Sequence, residues 1–180
     1  MSKPKIIEEK VIYKSGLSEV ISAKVKLPDG KIVEWDYFGN EDVVAILSID
    51  KEGNVYFVKE WRPAFRKNII QIPAGHCPFK TEKGRLKQAH NELREETGMG
   101  AKKLTKLISY APSARMNYLL HLYLAEDLYP SYKDPDVDEI IEVVKIPFKK
   151  AYQMFVKKWQ LTTGSTMIAL LMARDLIGTD

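Results

Sequence analysis

The 180-residue sequence predicts a mixed α/β (α+β) fold, a sandwich of sheet and flanking helices. Three observations carry this. The first sixty residues contain two hairpin patterns, the first of them alternating polar and apolar side chains. Four further short strand-like runs follow, each bounded by Pro, Gly or charged turns. Three segments between and after them carry apolar residues at helical spacing.

Taken in order, residues 17–27 alternate, Pro28-Asp29-Gly30 makes a turn, and residues 31–38 alternate again through Ile32, Trp35 and Tyr37. Gly39-Asn40 punctuates the chain and suggests a boundary near residue 40, separating an N-terminal β-region, 1–40, from a main domain, 41–180. Residues 43–49 and 55–61, joined by Lys51-Glu52-Gly53-Asn54, read as a second hairpin. Strands are predicted over 69–72, 104–110, 118–125 and 140–146. Leu86, Ala89, Leu93 and Thr97 predict a helix stopped by Gly98. Phe148, Ala151, Tyr152, Phe155, Val156 and Trp159 predict a second helix, and Ser165 caps a third that runs through Met172.

Composition narrows the function. With 45% hydrophobic residues the chain can bury one good core. Its longest apolar stretches, 42–49 and 166–173, fall well short of the roughly 20 residues of a membrane helix. The N-terminus lacks the pattern of a secretory signal, so a cytoplasmic location is expected. The single cysteine, Cys77, excludes an internal disulfide, and His76, His90 and His121 lack metal-ligand spacing, so any metal must be held by oxygen. The net charge of +4 is spread over scattered bases without a dense aromatic-basic stripe, which argues against a nucleic-acid binder.

The helix around Leu93 carries the chemistry. At about 100° per residue, with Glu92 at zero, Glu96 lies near 40° and Glu95 near 300°, beside an apolar stripe of Leu86, Ala89, Leu93 and Thr97. A solvated helix surface pairs each Glu with a base four residues away, yet those positions hold Gln88, Glu96 and Met99. Like charges one turn apart near a helix C-terminus call for positive compensation. A hard cation, Mg²⁺ or Mn²⁺, suits clustered carboxylates, and a backbone carbonyl of the Ile72-Pro73-Ala74-Gly75 turn, at Ala74, offers a further oxygen; an ordinary acidic surface is the competing reading.

Glu92-Leu93-Arg94-Glu95-Glu96-Thr97-Gly98-Met99, preceded by Ile72-Pro73-Ala74-Gly75, resembles the Nudix box, G-x5-E-x7-R-E-U-x-E-E-x-G-U with U aliphatic. The resemblance implies a Nudix-like α/β/α sandwich with a mixed sheet. It also implies a hydrolase for nucleoside diphosphates linked to another moiety, with Glu92, Glu95 and Glu96 as metal-binding carboxylates and Gly75 as the leading glycine. Three positions depart from the pattern: Asn91 replaces the box Arg, Lys83 stands where the first Glu falls, and the loop after Gly75 is two residues longer. Loss of both members of that pair leaves no lone charge, so the ligands are expected to persist on an altered support, with Glu82 as a substitute carboxylate.

Trp61-Arg62-Pro63, Pro112 and the stretch from Asp136 to Val143 resemble the ADP-ribose pyrophosphatase subgroup. This implies Mg²⁺-dependent hydrolysis of ADP-ribose to AMP and ribose 5-phosphate by a homodimer built through the N-terminal β-region. Glu139 corresponds to the subgroup's loop glutamate and is the expected general base, acting with the catalytic carboxylates Glu95 and Glu96; Glu142 and Asp138 are the fallbacks. Arg62 and Arg66 can fork onto phosphates. Trp35 and Tyr37 can stack an adenine, in the partner subunit's site, although one of them is expected to pack in the core. Pro112 belongs to a substrate loop. Two alternatives keep part of this reading: another nucleoside diphosphate derivative, such as a nucleotide sugar or dinucleotide, and a weakly catalytic or non-catalytic nucleotide-binding module, suggested by Lys83 and Asn91.

Overall fold

Runs of apolar and alternating side chains form the strands of the computed structural model, which describes residues 2–16, 18–134 and 140–177. In chain order the strands are β1 (Lys5–Ser15), β2 (Ser18–Lys26), β3 (Ile32–Gly39), β4 (Asp42–Ile49), β5 (Asn54–Arg62), β6 (Lys67–Gln71) and β7 (Ala74–Cys77). After helix α1 (Glu82–Thr97) come β8 (Met99–Tyr110), β9 (Leu120–Pro130), β10 (Ile141–Pro147), α2 (Phe148–Tyr152) and α3 (Gly164–Ile177). The chain divides into two compact units, Met1–Asp42 with Ala111–Leu119, and Val43–Tyr110 with Leu120–Asp180.

The first unit is a three-stranded antiparallel sheet in the order β1-β2-β3. Ile21, Ala23 and Val25 alternate along β2 and are buried, as a one-faced strand requires. The Asp29 carboxylate accepts the Lys31 N–H at 3.1 Å and closes the β2–β3 turn. Strand β1 escapes pattern reading because its apolar residues come in adjacent runs, Ile6-Ile7 and Val11-Ile12-Tyr13. Register shifts between Ile6 and Glu8 and between Val11 and Tyr13 account for this, since each bulge breaks the two-residue period. Residues 111–119 join the unit through Phe38, whose N–H donates to the Arg115 carbonyl at 2.8 Å and whose carbonyl accepts the Asn117 N–H at 3.0 Å.

The second unit is the predicted sandwich. Its sheet runs β10-β5-β4-β9-β8, with β6 on β5 and β7 on β4. Strands β4 and β9 are parallel, while the pairs β10–β5, β4–β5, β5–β6 and β8–β9 are antiparallel, so the sheet is mixed. Successive side chains of the central strands serve opposite faces. Val44, Ile46, Tyr123 and Ala125 pack with Ala89 and Leu93 of α1. Ala45, Leu47, Leu122 and Leu124 pack with Phe155, Ala169, Leu170 and Ala173. Each fully buried aliphatic or aromatic side chain contributes on the order of 1.5–3 kcal/mol, so a sheet dressed on both faces holds its helices firmly. Among the described residues no helix is long and apolar enough to cross a membrane.

The C-terminal helices differ from the predicted pattern. The helix expected over 148–159 is α2 followed by a π-helical turn, Gln153–Lys157. Trp159 lies beyond it at φ 54° and 73% exposed, outside the buried stripe formed by Phe148, Ala151, Tyr152, Phe155 and Val156. The wider π turn shifts the chain out of 3.6-residue phase, which the periodicity argument cannot anticipate. The cap of α3 is Thr163, whose hydroxyl accepts the Thr166 N–H, and Ser165 is buried inside the first turn instead.

Candidate active site

Local signals set the acidic helix at both ends. The Thr81 hydroxyl accepts the Gly84 N–H at 3.2 Å, a side-chain N-cap. Gly98 at φ 70° closes the helix, its N–H donating to the Arg94 carbonyl at 3.0 Å. With Ala89 and Leu93 fixed in the core, the neighbouring face turns Glu92 and Glu96 inward, to 9% and 7% exposure.

Strand β7 supplies the facing wall. The Ala74 N–H donates to a Glu96 carboxylate oxygen at 3.3 Å. A Cβ placed on Gly75 would fall on the Glu92 carboxylate, so this close approach needs glycine. The Gln88 side-chain amide donates to Glu92 at 2.7 Å from one turn earlier. Glu95, on the outer edge of the same face, is ion-paired with Lys133. Among the described residues the three carboxylates do not converge on one point as a finished cage. Their character nonetheless fits a hard divalent cation: two buried carboxylates one turn apart, a third beside them, and a glycine at position 75 that lets the Glu92 carboxylate lie against β7. Ala74 contacts Glu96 from the same wall.

The remaining predicted residues fall into separate places. Arg62 ends β5 and pairs with Glu60 at 2.7 Å. Arg66 lies in the following turn at φ 52°, exposed, its N–H donating to the Pro63 carbonyl at 3.2 Å. Trp35 and Tyr37 sit on one face of β3, in the first unit, and line a cavity of about 720 Å³ with Arg115, Met116 and Asn117. Trp35 is 53% exposed, and the Tyr37 hydroxyl donates to Glu9 at 2.6 Å. That bond and partial burial hold the Tyr37 phenol above its ordinary pKa. Pro112 is exposed at the start of the 111–119 segment. Glu139 and Asp138 lie outside the described residues, and Glu142 is exposed on β10, paired with Lys59 at 2.8 Å.

Glu82 does not reach the glutamate face. It accepts hydrogen bonds from the Tyr123 hydroxyl and the Lys106 ammonium, both at 2.8 Å. Partial burial opposes its ionisation, but these donors win and hold its pKa below the ordinary value. The imidazole of His121 is buried with Nδ1 2.7 Å from the Ser109 hydroxyl, and the Cys77 thiol, at the end of β7, is buried in the core.

Sequence reasoning notes Gln88 only as a position without a base, and it misses Lys133 and Arg115. Gln88 stands four residues before Glu92 and was within reach of a helical-wheel argument. Lys133 is 38 residues from Glu95, and Arg115 meets the β3 backbone by donating to the Asp36 carbonyl at 3.1 Å across 79 residues. No local pattern announces either.

Comparison with known proteins gives a consistent picture. The chain is 32% identical over 155 residues to an ADP-ribose pyrophosphatase of Bacillus subtilis (strain 168), covering 83% of this chain and 82% of that protein. It is 29% identical over 171 residues to a methanol dehydrogenase activator of Bacillus methanolicus, covering 92% and 90%. A crystal structure of an ADP compounds hydrolase superposes with a TM-score of 0.85 at 20% identity, over 99% of this chain and 96% of that one, which establishes the shared fold. No protein-family model matches the chain.

Proposed function

The chain belongs to the Nudix hydrolase family, in its ADP-ribose pyrophosphatase group, and on that premise we propose that it hydrolyses the pyrophosphate of ADP-ribose to AMP and ribose 5-phosphate. The observation that carries the reading is the face of α1, where Glu92 and Glu96 are buried against β7 and Glu95 stands beside them. Carboxylates gathered on one helix face at that spacing suit a hard divalent cation.

Glu92, Glu95 and Glu96 would hold a divalent cation, Mg²⁺ or Mn²⁺, with the Ala74 carbonyl as a further oxygen. Once bound, such an ion neutralises pyrophosphate charge and orients the attacking water. The chain's own residues do the rest. Gln88 and the Ala74 N–H fix the orientations of Glu92 and Glu96. Glu139 takes the proton of the water as the new P–O bond forms, and the bridging P–O bond breaks to release the second monophosphate. Arg62 and Arg66 contact the phosphates, Arg62 exchanging its surface partner Glu60 for substrate. Pro112 shapes the substrate loop.

Trp35 and Tyr37 stack the adenine, contributed to the partner subunit's site across a homodimer. Residues 1–40 form the dimerising β-region and 41–180 the hydrolase domain, acting in the cytoplasm. Support for the dimer comes from β1, where Ile6, Ile7, Val11, Ile12 and Tyr13 are all at least half exposed. Exposed apolar side chains on an edge strand favour association with another chain.

The test is incubation with ADP-ribose and Mg²⁺ against an EDTA control, with products separated by ion exchange. Metal-dependent AMP and ribose 5-phosphate are expected. Absence of product from ADP-ribose, with turnover of nucleotide sugars or dinucleotides, moves the substrate assignment. Nucleotide-dependent thermal stabilisation without any turnover identifies a binding module instead.

A further inference from the structure

The ion pair between Lys133 and Glu95 has no place in the chemistry above, and it sits on the same glutamate face. Its position is built into the fold. The Ser131 N–H donates to the Gly98 carbonyl at 2.8 Å, which anchors the chain leaving β9 to the C-terminal cap of α1. Two residues later the Lys133 ammonium reaches back to Glu95, the third residue before that cap. The Glu95 side chain is only 16% exposed and that of Lys133 is 40% exposed, so the pair is partly shielded from water and salt. Gln88 and the Ala74 N–H donate to Glu92 and Glu96. Lys133 brings a full positive charge.

We propose that Lys133 is a built-in counter-ion that competes with the divalent cation for Glu95, so that metal loading exchanges the ammonium for the ion and sets the metal affinity of the site. The inference rests on the assignment of Glu92, Glu95 and Glu96 as metal ligands. Without metal, Lys133 compensates the charge of Glu95 beside two further carboxylates. With metal, an ammonium on a ligand carboxylate repels the ion and occupies one of its oxygens, and release of the pair is subtracted from the binding free energy. Such a pair is worth little on an open surface and more where it is shielded. The consequence is a site that stays folded when empty but loads weakly.

Mn²⁺ binding to the full chain, measured by electron paramagnetic resonance and calorimetry without substrate, tests this directly. Lys133→Met should bind Mn²⁺ about fivefold or more tightly than wild type, and Lys133→Gln should shift in the same direction. Lys133→Arg should stay near wild type. The metal-free Lys133→Met protein should melt below wild type, and Mn²⁺ should raise its melting temperature by more. Equal or weaker Mn²⁺ affinity in both neutral variants overturns the proposal. Glu96→Gln separates the two assignments. If it abolishes Mn²⁺ binding while the Lys133 variants match wild type, only the counter-ion role falls; if wild type itself binds no Mn²⁺, the ligand assignment falls with it.

Discussion

A single absent Cβ decides whether Glu92 can occupy its place. Gly75 lies so close to that carboxylate that alanine must displace either the strand or the side chain. Gly75→Ala should therefore lower metal-dependent turnover at least tenfold, a loss of about 1.4 kcal/mol or more of transition-state stabilisation. The melting temperature should fall by only a few degrees, because β7 sits at the edge of the core. Steady-state kinetics beside a thermal melt check both; near-wild-type turnover would show that the carboxylate has another position open to it. At this scale the glutamates were legible because helical periodicity is a local property, and Glu92, Glu95 and Glu96 share one face by arithmetic alone. The expectation that Glu82 substitutes for the missing box glutamate was not sound, since Tyr123 and Lys106 had already claimed it from β9 and β8. Those partners are 41 and 24 residues away, and no spacing rule reaches them.

Elements were legible where one signal ruled each of them. The β4–β5 hairpin combines two apolar runs with a turn in which Asp50 accepts the Asn54 N–H at 2.8 Å and the Lys145 ammonium of β10 at 2.9 Å. Burial alone would raise the Asp50 carboxyl, but Lys145 and Asn54 hold it below the ordinary carboxylate value. A depressed folded-state pKa contributes stability above the unfolded value, near 3.8, and that stability disappears as pH falls through the folded one. Asp50→Asn should thus cost about 1–2 kcal/mol at pH 7 and progressively less below pH 4, as urea denaturation at several pH values will show. A penalty independent of pH would assign the effect to turn geometry rather than charge. Strand β1 and the stretch from Phe148 to Trp159 were illegible for one shared reason: bulges in the first and a π turn in the second break the period on which pattern reading depends.

For the whole molecule, alternate burial of β4 and β9 accounts for the architecture. Val44 and Ile46 bind the sheet to α1, Ala45 and Leu47 bind it to the C-terminal helices, and the sandwich follows from a period of two. Parallel β4 and β9 are buried on both faces and carry near-continuous apolar runs, so alternation alone does not mark their pairing. Oligomeric state belongs to this scale too. The exposed apolar row of β1 leads to the expectation that Val11→Lys with Tyr13→Lys converts a dimer to a monomer, read by light scattering after gel filtration. An unchanged mass would place the association elsewhere, or show that the wild type is already monomeric.

The central claim is that the glutamate face of α1 hydrolyses a pyrophosphate with the help of a divalent cation. Phosphorus-31 NMR of ADP-ribose with Mg²⁺, run with wild type and with Glu96→Gln, tests it most directly, since the amide removes one carboxylate at nearly constant volume. In wild type the diphosphate resonances should give way to two monophosphate signals, whereas Glu96→Gln should leave them intact while retaining the wild-type circular dichroism. Conversion by Glu96→Gln at the wild-type rate, or an unreacted diphosphate in the wild type, would contradict the account.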